Sequence, residues 1–299
     1  ENKSSYERII SFFAIPKAIL DSAYSEFSVD SGADQNLDTN SNVLKNLEAL
    51  KANMPGNSYN QAKDELNLIL NQKEMASSPI FGKFLSTANL ATMQDYTQFT
   101  PRSHYNKNSV LRSYFKAMMW YGRNNFPILS PELTRDALNI SLLVENGQQQ
   151  NWQSIYNPTA FLVGKSDDLG INEYLETLQK LKVSSITSEV VEKVQSEMKN
   201  YQNPLIQSSV IVGDDVFNNT KDELTKKTKG FRFMGQRFTP DAFIFSSLTQ
   251  GDEKADSETG QKLPSFPTAL EVMSIMGNKQ ADSLTQNWIT TNAPNSNKI

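Results

Sequence analysis

The chain's one histidine, His104, lies in the run Asp95-Tyr96-Thr97-Gln98-Phe99-Thr100-Pro101-Arg102-Ser103-His104-Tyr105, dense in side chains that bind polar groups. A single imidazole excludes metal sites built on several histidines and any proton relay through two of them. A Ser-His-Asp triad would have to use His104. Two readings compete here. In one, Arg102, His104 and Tyr105 rim a pocket at the N-terminus of the following helix, where N–H groups and the helix dipole favour anions. In the other, His104 and Tyr105 hydrogen-bond to backbone and organise an irregular loop. Trp120-Tyr121-Gly122-Arg123 joins aromatics of the sugar-stacking type to a planar donor fork, or else supplies core plus one satisfied arginine. In Gly230 to Asp241, Arg232 and Arg237 could bind a carboxylate or sulfate, and Arg237 pairs with Asp241 if Pro240 opens a helix; structural salt bridges account for them equally well.

Paired acids follow two strand-like runs: Ser166-Asp167-Asp168-Leu169-Gly170 after Phe161-Leu162-Val163, and Asp214-Asp215 after Val210-Ile211-Val212. Such pairs hold Ca²⁺ or Mg²⁺, or serve as the two carboxylates of a glycosidase. A simpler account lets Ser166 or Asp168 cap a helix starting near Ile171. Asp167 and Asp168 are thus the one metal candidate, and no other cofactor is expected. The chain carries no P-loop, dinucleotide glycine fingerprint, nucleophile elbow or metalloprotease helix motif. The absence of cysteine removes disulfides, thiolate nucleophiles and zinc-thiolate sites together.

These residues must be positioned by helices. Val43, Leu44, Leu47, Leu50 and Met54 make one apolar face ended by Pro55-Gly56, and Ala62, Leu66, Ile69 and Leu70 make the next, so the two read as an antiparallel pair. The widest face runs from Asn108 to Tyr121, with Gly122 placed to end it. Further helices are predicted over 131–145, 171–181 and 188–201, started by Pro131 and Ser188 in the first and last, and again over 240–248 and 268–276. Tyr6 to Phe13 is also helix-like. Strand signals are confined to 161–163, 210–212 and 231–234. The expectation is a mainly α single domain over 1–299, with a few short strands and long irregular loops. Its polar linker is 28–42, its exposed loop 251–262, and its polar tail 290–299.

With 29 basic against 33 acidic side chains, the chain has a net charge of −4 and lacks the basic field that nucleic acid binding needs. Its 38% hydrophobic share is enough for a core at 299 residues. The longest apolar stretch, Ile9 to Leu20, is broken by Ser11, Pro16 and Lys17 and falls short of the roughly 20 residues that span a bilayer. The chain opens at Glu1 with no basic region or cleavage signature, and is expected to be an internal piece of a longer precursor.

The run from Asp95 to Tyr105, continued by Leu111-Arg112-Ser113-Tyr114-Phe115-Lys116-Ala117-Met118-Met119-Trp120-Tyr121-Gly122-Arg123, resembles a family filed as a domain of unknown function, DUF3160. Two more blocks agree: Phe161-Leu162-Val163-Gly164-Lys165-Ser166-Asp167-Asp168-Leu169 and Phe231-Arg232-Phe233-Met234-Gly235-Gln236-Arg237-Phe238-Thr239-Pro240-Asp241. A fainter one is Leu263-Pro264 with Leu270-Glu271-Val272-Met273 and Gly277. The resemblance spans roughly residues 6 to 285. The chain departs from the family pattern at Ser103, where glycine is favoured, and at Glu271, where aspartate is favoured. Ser103 makes a left-handed backbone less comfortable there.

The resemblance implies exported or lipid-anchored envelope proteins of bacteria and archaea, usually longer than this chain. It carries over no activity and no catalytic residue. The leading expectation is therefore a non-catalytic envelope or surface protein that binds a ligand or scaffolds an assembly, its partners being other surface proteins or a polysaccharide. A first alternative is a hydrolase of cell-wall or other polysaccharide, with Asp167, Asp168 or Asp241 as acids and Trp120 or Tyr121 as the sugar platform. A second is a subunit of a larger surface assembly.

Overall fold

The computed structural model describes residues 2–24, 36–183, 185–206, 221–235, 237–240, 243 and 268–292. Among them are twelve α-helices and two small antiparallel sheets, so the fold is mainly α. Helix α1 (Asn2–Tyr24) is the axle, flanked by α2 (Asn40–Leu50), α3 (Ser58–Asn71), α5 (Ser109–Arg123) and α6 (Pro131–Glu145). A short α4 (Gly82–Thr87) lies between strands β1 (Met75–Ser77) and β2 (Met93–Asp95). Helix α6 also packs on α7 (Gln149–Val163), α8 (Ile171–Lys180) and α9 (Ser188–Met198). Strand β3 (Phe126–Pro127) pairs with β4 (Gly230–Phe231), which follows α10 (Lys221–Thr228); α11 (Ala269–Ile275) and α12 (Lys279–Asn292) pack on each other.

Residues Leu133 to Ser141 of α6 are all buried, although five of the nine are polar or charged: Thr134, Arg135, Asp136, Asn139 and Ser141. A helix buried all round survives only if such groups find partners. They do. Arg8 of α1 grips Asp136 with two hydrogen bonds of 2.7 and 2.8 Å. Asn139 donates to Ser5 at 2.8 Å, and Arg135 donates to Ile186 O at 3.2 Å and Ser188 Oγ at 3.0 Å. Phe12 of α1 centres an aromatic group with Phe81, Trp120, Tyr121 and Phe126, ring centroids 5.2 to 6.1 Å away.

Most helix predictions hold. Helix α6 spans the predicted 131–145, and α8 and α9 start at the predicted Ile171 and Ser188. The caps fall one residue before the predicted starts: Ser130 accepts Leu133 N–H and Thr187 accepts Val190 N–H. Three expectations fail. Gly122 does not end α5, which runs one residue further to Arg123 before Asn124 turns to extended backbone. Phe161-Leu162-Val163 is not a strand but the last turn of α7, since three apolar residues fit either period. Neither Ser166 nor Asp168 caps α8: Gly170 precedes it, and the Glu173 carboxylate turns back to accept Gly170 N–H at 2.8 Å. The described part of the predicted linker, 36–42, is mostly exposed but is tied to the core at one residue. Asp38 is buried and accepts from Arg112 at 2.7 and 2.9 Å, Thr39 caps α2, and Lys116 stands 3.8 Å from Asp38. In the predicted tail, Thr290 and Thr291 still belong to α12. The predicted strand 210–212, the acids Asp214-Asp215 and the loop 251–262 lie outside the described residues.

Glu65 of α3 is fully buried with no cation among the partners found for it. It accepts from Tyr96 Oη at 2.5 Å, Ser78 Oγ at 2.5 Å and Ile80 N–H at 3.3 Å. Burial pushes its carboxyl up to about 7 against the pull of those donors. A carboxyl raised this way binds its proton more tightly folded than unfolded. Its contribution to stability is present below the unfolded value near 4.5 and is lost as pH rises toward 7. Urea denaturation across pH 4.5 to 8 is expected to show Glu65→Gln losing less stability over that interval than the parent, by roughly 2 to 3 kcal/mol. Parallel curves for the two proteins would refute it.

Candidate functional site

A buried ion pair joins two of the shared blocks. Asp168 and Arg232, both buried, form an ion pair at 3.1 Å, and Arg232 N–H donates to Leu169 O at 3.0 Å. Asp167 accepts Ile206 N–H at 2.7 Å. Arg123 is buried at the end of α5; burial lowers its pKa, the nearby Asp95 opposes this, and Arg232 adds to it. Burial raises the Asp95 carboxyl, but hydrogen bonds from Thr97 and Gln98 and the charge of Arg123 outweigh it and hold the group below its usual range. Arg237 lies 4.3 Å from the Tyr156 ring centroid and donates to Thr159 Oγ1 at 3.2 Å, while its backbone bridges to Ser166. A Cβ on Gly235 would stand 2.0 Å from Ser166 Oγ, so the absence of a side chain there lets the 231–235 turn close on 166–168.

The sugar-platform reading of Trp120 and Tyr121 fails. Trp120 is fully buried, its indole N–H donating to Phe12 O at 2.9 Å. The Tyr121 ring packs on Phe233 and Phe12, centroids 4.8 and 5.6 Å away, and burial raises its hydroxyl pKa. Asp167 and Asp168 are engaged as described, and Asp241 lies outside the described residues. Among the described residues no group of three or more His, Cys, Asp or Glu side chains could hold a metal ion, and no helix is long and apolar enough to cross a membrane.

Arg102, His104 and Tyr105 stand apart from that interior, on a short 3₁₀ turn (Ser103–Asn106) just before α5. Arg102 and His104 are exposed and Tyr105 is half-buried. Rather than bonding to backbone through their side chains, the rings form a row: His104 lies 4.0 Å from Tyr105, and Tyr105 stacks on Tyr114 at 6.3 Å with 21° between planes. Phe115 supports Tyr105 from below at 5.2 Å, and the Arg102 guanidinium sits 5.7 Å over Phe115 while donating to Gln98. Burial and then the charge of Tyr114 raise the hydroxyl pKa of Tyr24 at the end of α1, and burial and then Tyr105 raise that of Tyr114. Tyr24 is 49% exposed and Tyr114 38%, so both present ring surface to solvent. Sequence reasoning placed Tyr114 in the core face. Its position beside Arg102-Ser103-His104-Tyr105 depends on the turn closing over α5, which no spacing encodes.

Comparison with family models matches residues 1–298 to the family described as protein of unknown function, DUF3160. The chain belongs to that family. No curated protein and no solved structure matches it. In this DUF3160 chain Ser103 has a φ of +53°, the left-handed region that glycine adopts without a Cβ penalty. Glu271 costs nothing comparable. It accepts Thr268 N–H at 2.5 Å and donates its own N–H to Thr268 Oγ1 at 3.3 Å, closing a capping box on α11.

Thermal and urea denaturation are expected to rank Ser103→Gly at or above the parent, by up to about 1 kcal/mol, and Ser103→Val below it by about 1 to 2 kcal/mol. A glycine variant less stable than the valine one would contradict the left-handed assignment.

Proposed function

We propose that this DUF3160 protein is a non-catalytic binding protein of the cell envelope or surface, and that it takes a polyhydroxylated glycan on the row Tyr114, Tyr105 and His104. The observation that carries the reading is the row itself, exposed aromatic surface joined to the donor fork of Arg102. Flat rings cover the apolar faces of sugar rings while imidazole, phenol and guanidinium groups hydrogen-bond their hydroxyls. Envelope placement rests on the family resemblance. The hydrolase alternative has less behind it: Asp168 is committed to Arg232 and Asp167 to a backbone N–H.

Affinity electrophoresis of the full chain through gels containing soluble cell-wall and capsular polysaccharides is expected to show retardation by at least one of them. Tyr114→Ala and Tyr105→Ala should each weaken it about tenfold with the fold intact by circular dichroism. Unretarded migration throughout, or release of reducing sugar by the purified chain, would defeat the proposal.

A second reading, a subunit of a larger assembly, has its own observation. The end of α7 exposes Phe161 at 89% and Leu162 at 77%, a degree of apolar exposure that marks interaction sites when contiguous. Light scattering coupled to size exclusion is expected to show concentration-dependent association that Phe161→Ser with Leu162→Ser abolishes. A monodisperse monomer at high concentration would count against it.

A further inference from the structure

The last turn of α7 projects from the body of the fold. Successive helical residues point about 100° apart, so Phe161, Leu162 and Val163 face three different sides, yet they are 89, 77 and 49% exposed. Earlier in the same helix the chain is anchored: Trp152 is buried, and its indole N–H donates to Phe233 O at 3.3 Å. Ile155, seven residues before Leu162 and on its side of the helix, is exposed as well.

The charge around this apolar end has one sign. Between Glu145 and Asp167 the only charged residue is Lys165, which is exposed. Asp167 and Asp168 spend their carboxylates on Ile206 N–H and Arg232. Arg237 is brought alongside by its backbone bridge to Ser166, the neighbour of Lys165. Its guanidinium lies over the Tyr156 ring and donates to Thr159 Oγ1, and none of its contacts among the described residues is to a carboxylate. Thr159 is four residues from Ile155 and three from Leu162, so the cation adjoins the apolar side chains. The chain's net charge of −4 does not cancel this patch, because charges more than about 10 Å away are largely screened at about 0.1 M salt.

We propose that the 161–163 turn of α7 inserts into the surface of an anionic lipid bilayer, with Lys165 and Arg237 on the headgroups. An apolar end flanked by cations fits such a surface: the side chains enter the acyl boundary while the ammonium and guanidinium groups stay among the phosphates. The second reading above rests on the same residues, and their charges favour lipid over a second copy. A two-fold contact is made by the same patch on both partners, which sets Lys165 and Arg237 against their own counterparts.

Flotation of the full chain with vesicles is the test. The chain is expected to float with phosphatidylcholine vesicles containing about one-third phosphatidylglycerol, and to partition about tenfold less onto phosphatidylcholine alone. Phe161→Ser with Leu162→Ser should lower partitioning by about tenfold, and Lys165→Gln by about fivefold with a weaker salt dependence; all three residues are exposed, so circular dichroism should stay unchanged. Phe161→Trp reads insertion directly, since brominated acyl chains quench the added indole only if it reaches the hydrocarbon boundary. Absence of flotation, flotation that the serine pair leaves intact, or an added indole that brominated lipid does not quench would overturn the proposal. Equal partitioning onto the two kinds of vesicle would overturn the part given to the cations. Association in solution that the serine pair abolishes, without flotation, would assign the turn to a second copy and overturn the lipid; flotation of a chain that is monodisperse in solution would support the lipid and set the second reading aside.

Discussion

Arg8 and Asp136 are 128 residues apart in sequence and almost wholly withdrawn from water, at 5% and 0% exposure. A buried ion pair adds little net stability over a well-packed apolar pair, yet losing one partner strands a charge at about 3 to 5 kcal/mol. What the pair does is specify. One turn earlier in α1, Ser5 meets Asn139, one turn later in α6. Two polar contacts that step in opposite directions along the helices fix α1 and α6 antiparallel and allow one register. Sliding either helix by a turn would break both.

The rest is hung on that alignment. Helix α1 presents Phe12 to the aromatic group that holds α5 through Trp120, and α5 carries Tyr114 outward on its opposite side. From the other direction, Glu65 pins Tyr96, and Tyr96 opens the 3₁₀ turn that leads through buried Pro101 to Arg102, His104 and Tyr105. The surface row is therefore assembled from two segments, the 103–106 turn and α5, brought together by these interior contacts.

Much of the helical skeleton was legible because burial of one face imposes a 3.6-residue period: 131–145 emerged at its observed bounds, and the helix predicted over 108–121 is found at 109–123. The dense blocks were also legible as blocks, and the buried ion pair of Asp168 with Arg232 joins two of them. Their roles were not. Trp120 and Tyr121 have the side chains of a sugar site, but their place on the apolar face sends them inward. Asp168 has the chemistry of a cap or a metal ligand, and Arg232, 64 residues away, claims it first.

The sequence by itself determined a mainly α chain, the family to which it belongs and the absence of a basic field, because these depend on composition, period and shared motifs. Only the tertiary structure decided which polar residues are spent and which are free to meet a ligand. Glu65, Asp38 and Asp136 go inside, while His104 and Tyr114 stay out. A charge or a hydroxyl looks the same in sequence whether its partner is a neighbour or lies a hundred residues away. Its pairing is set by long-range packing, which leaves no local pattern to read.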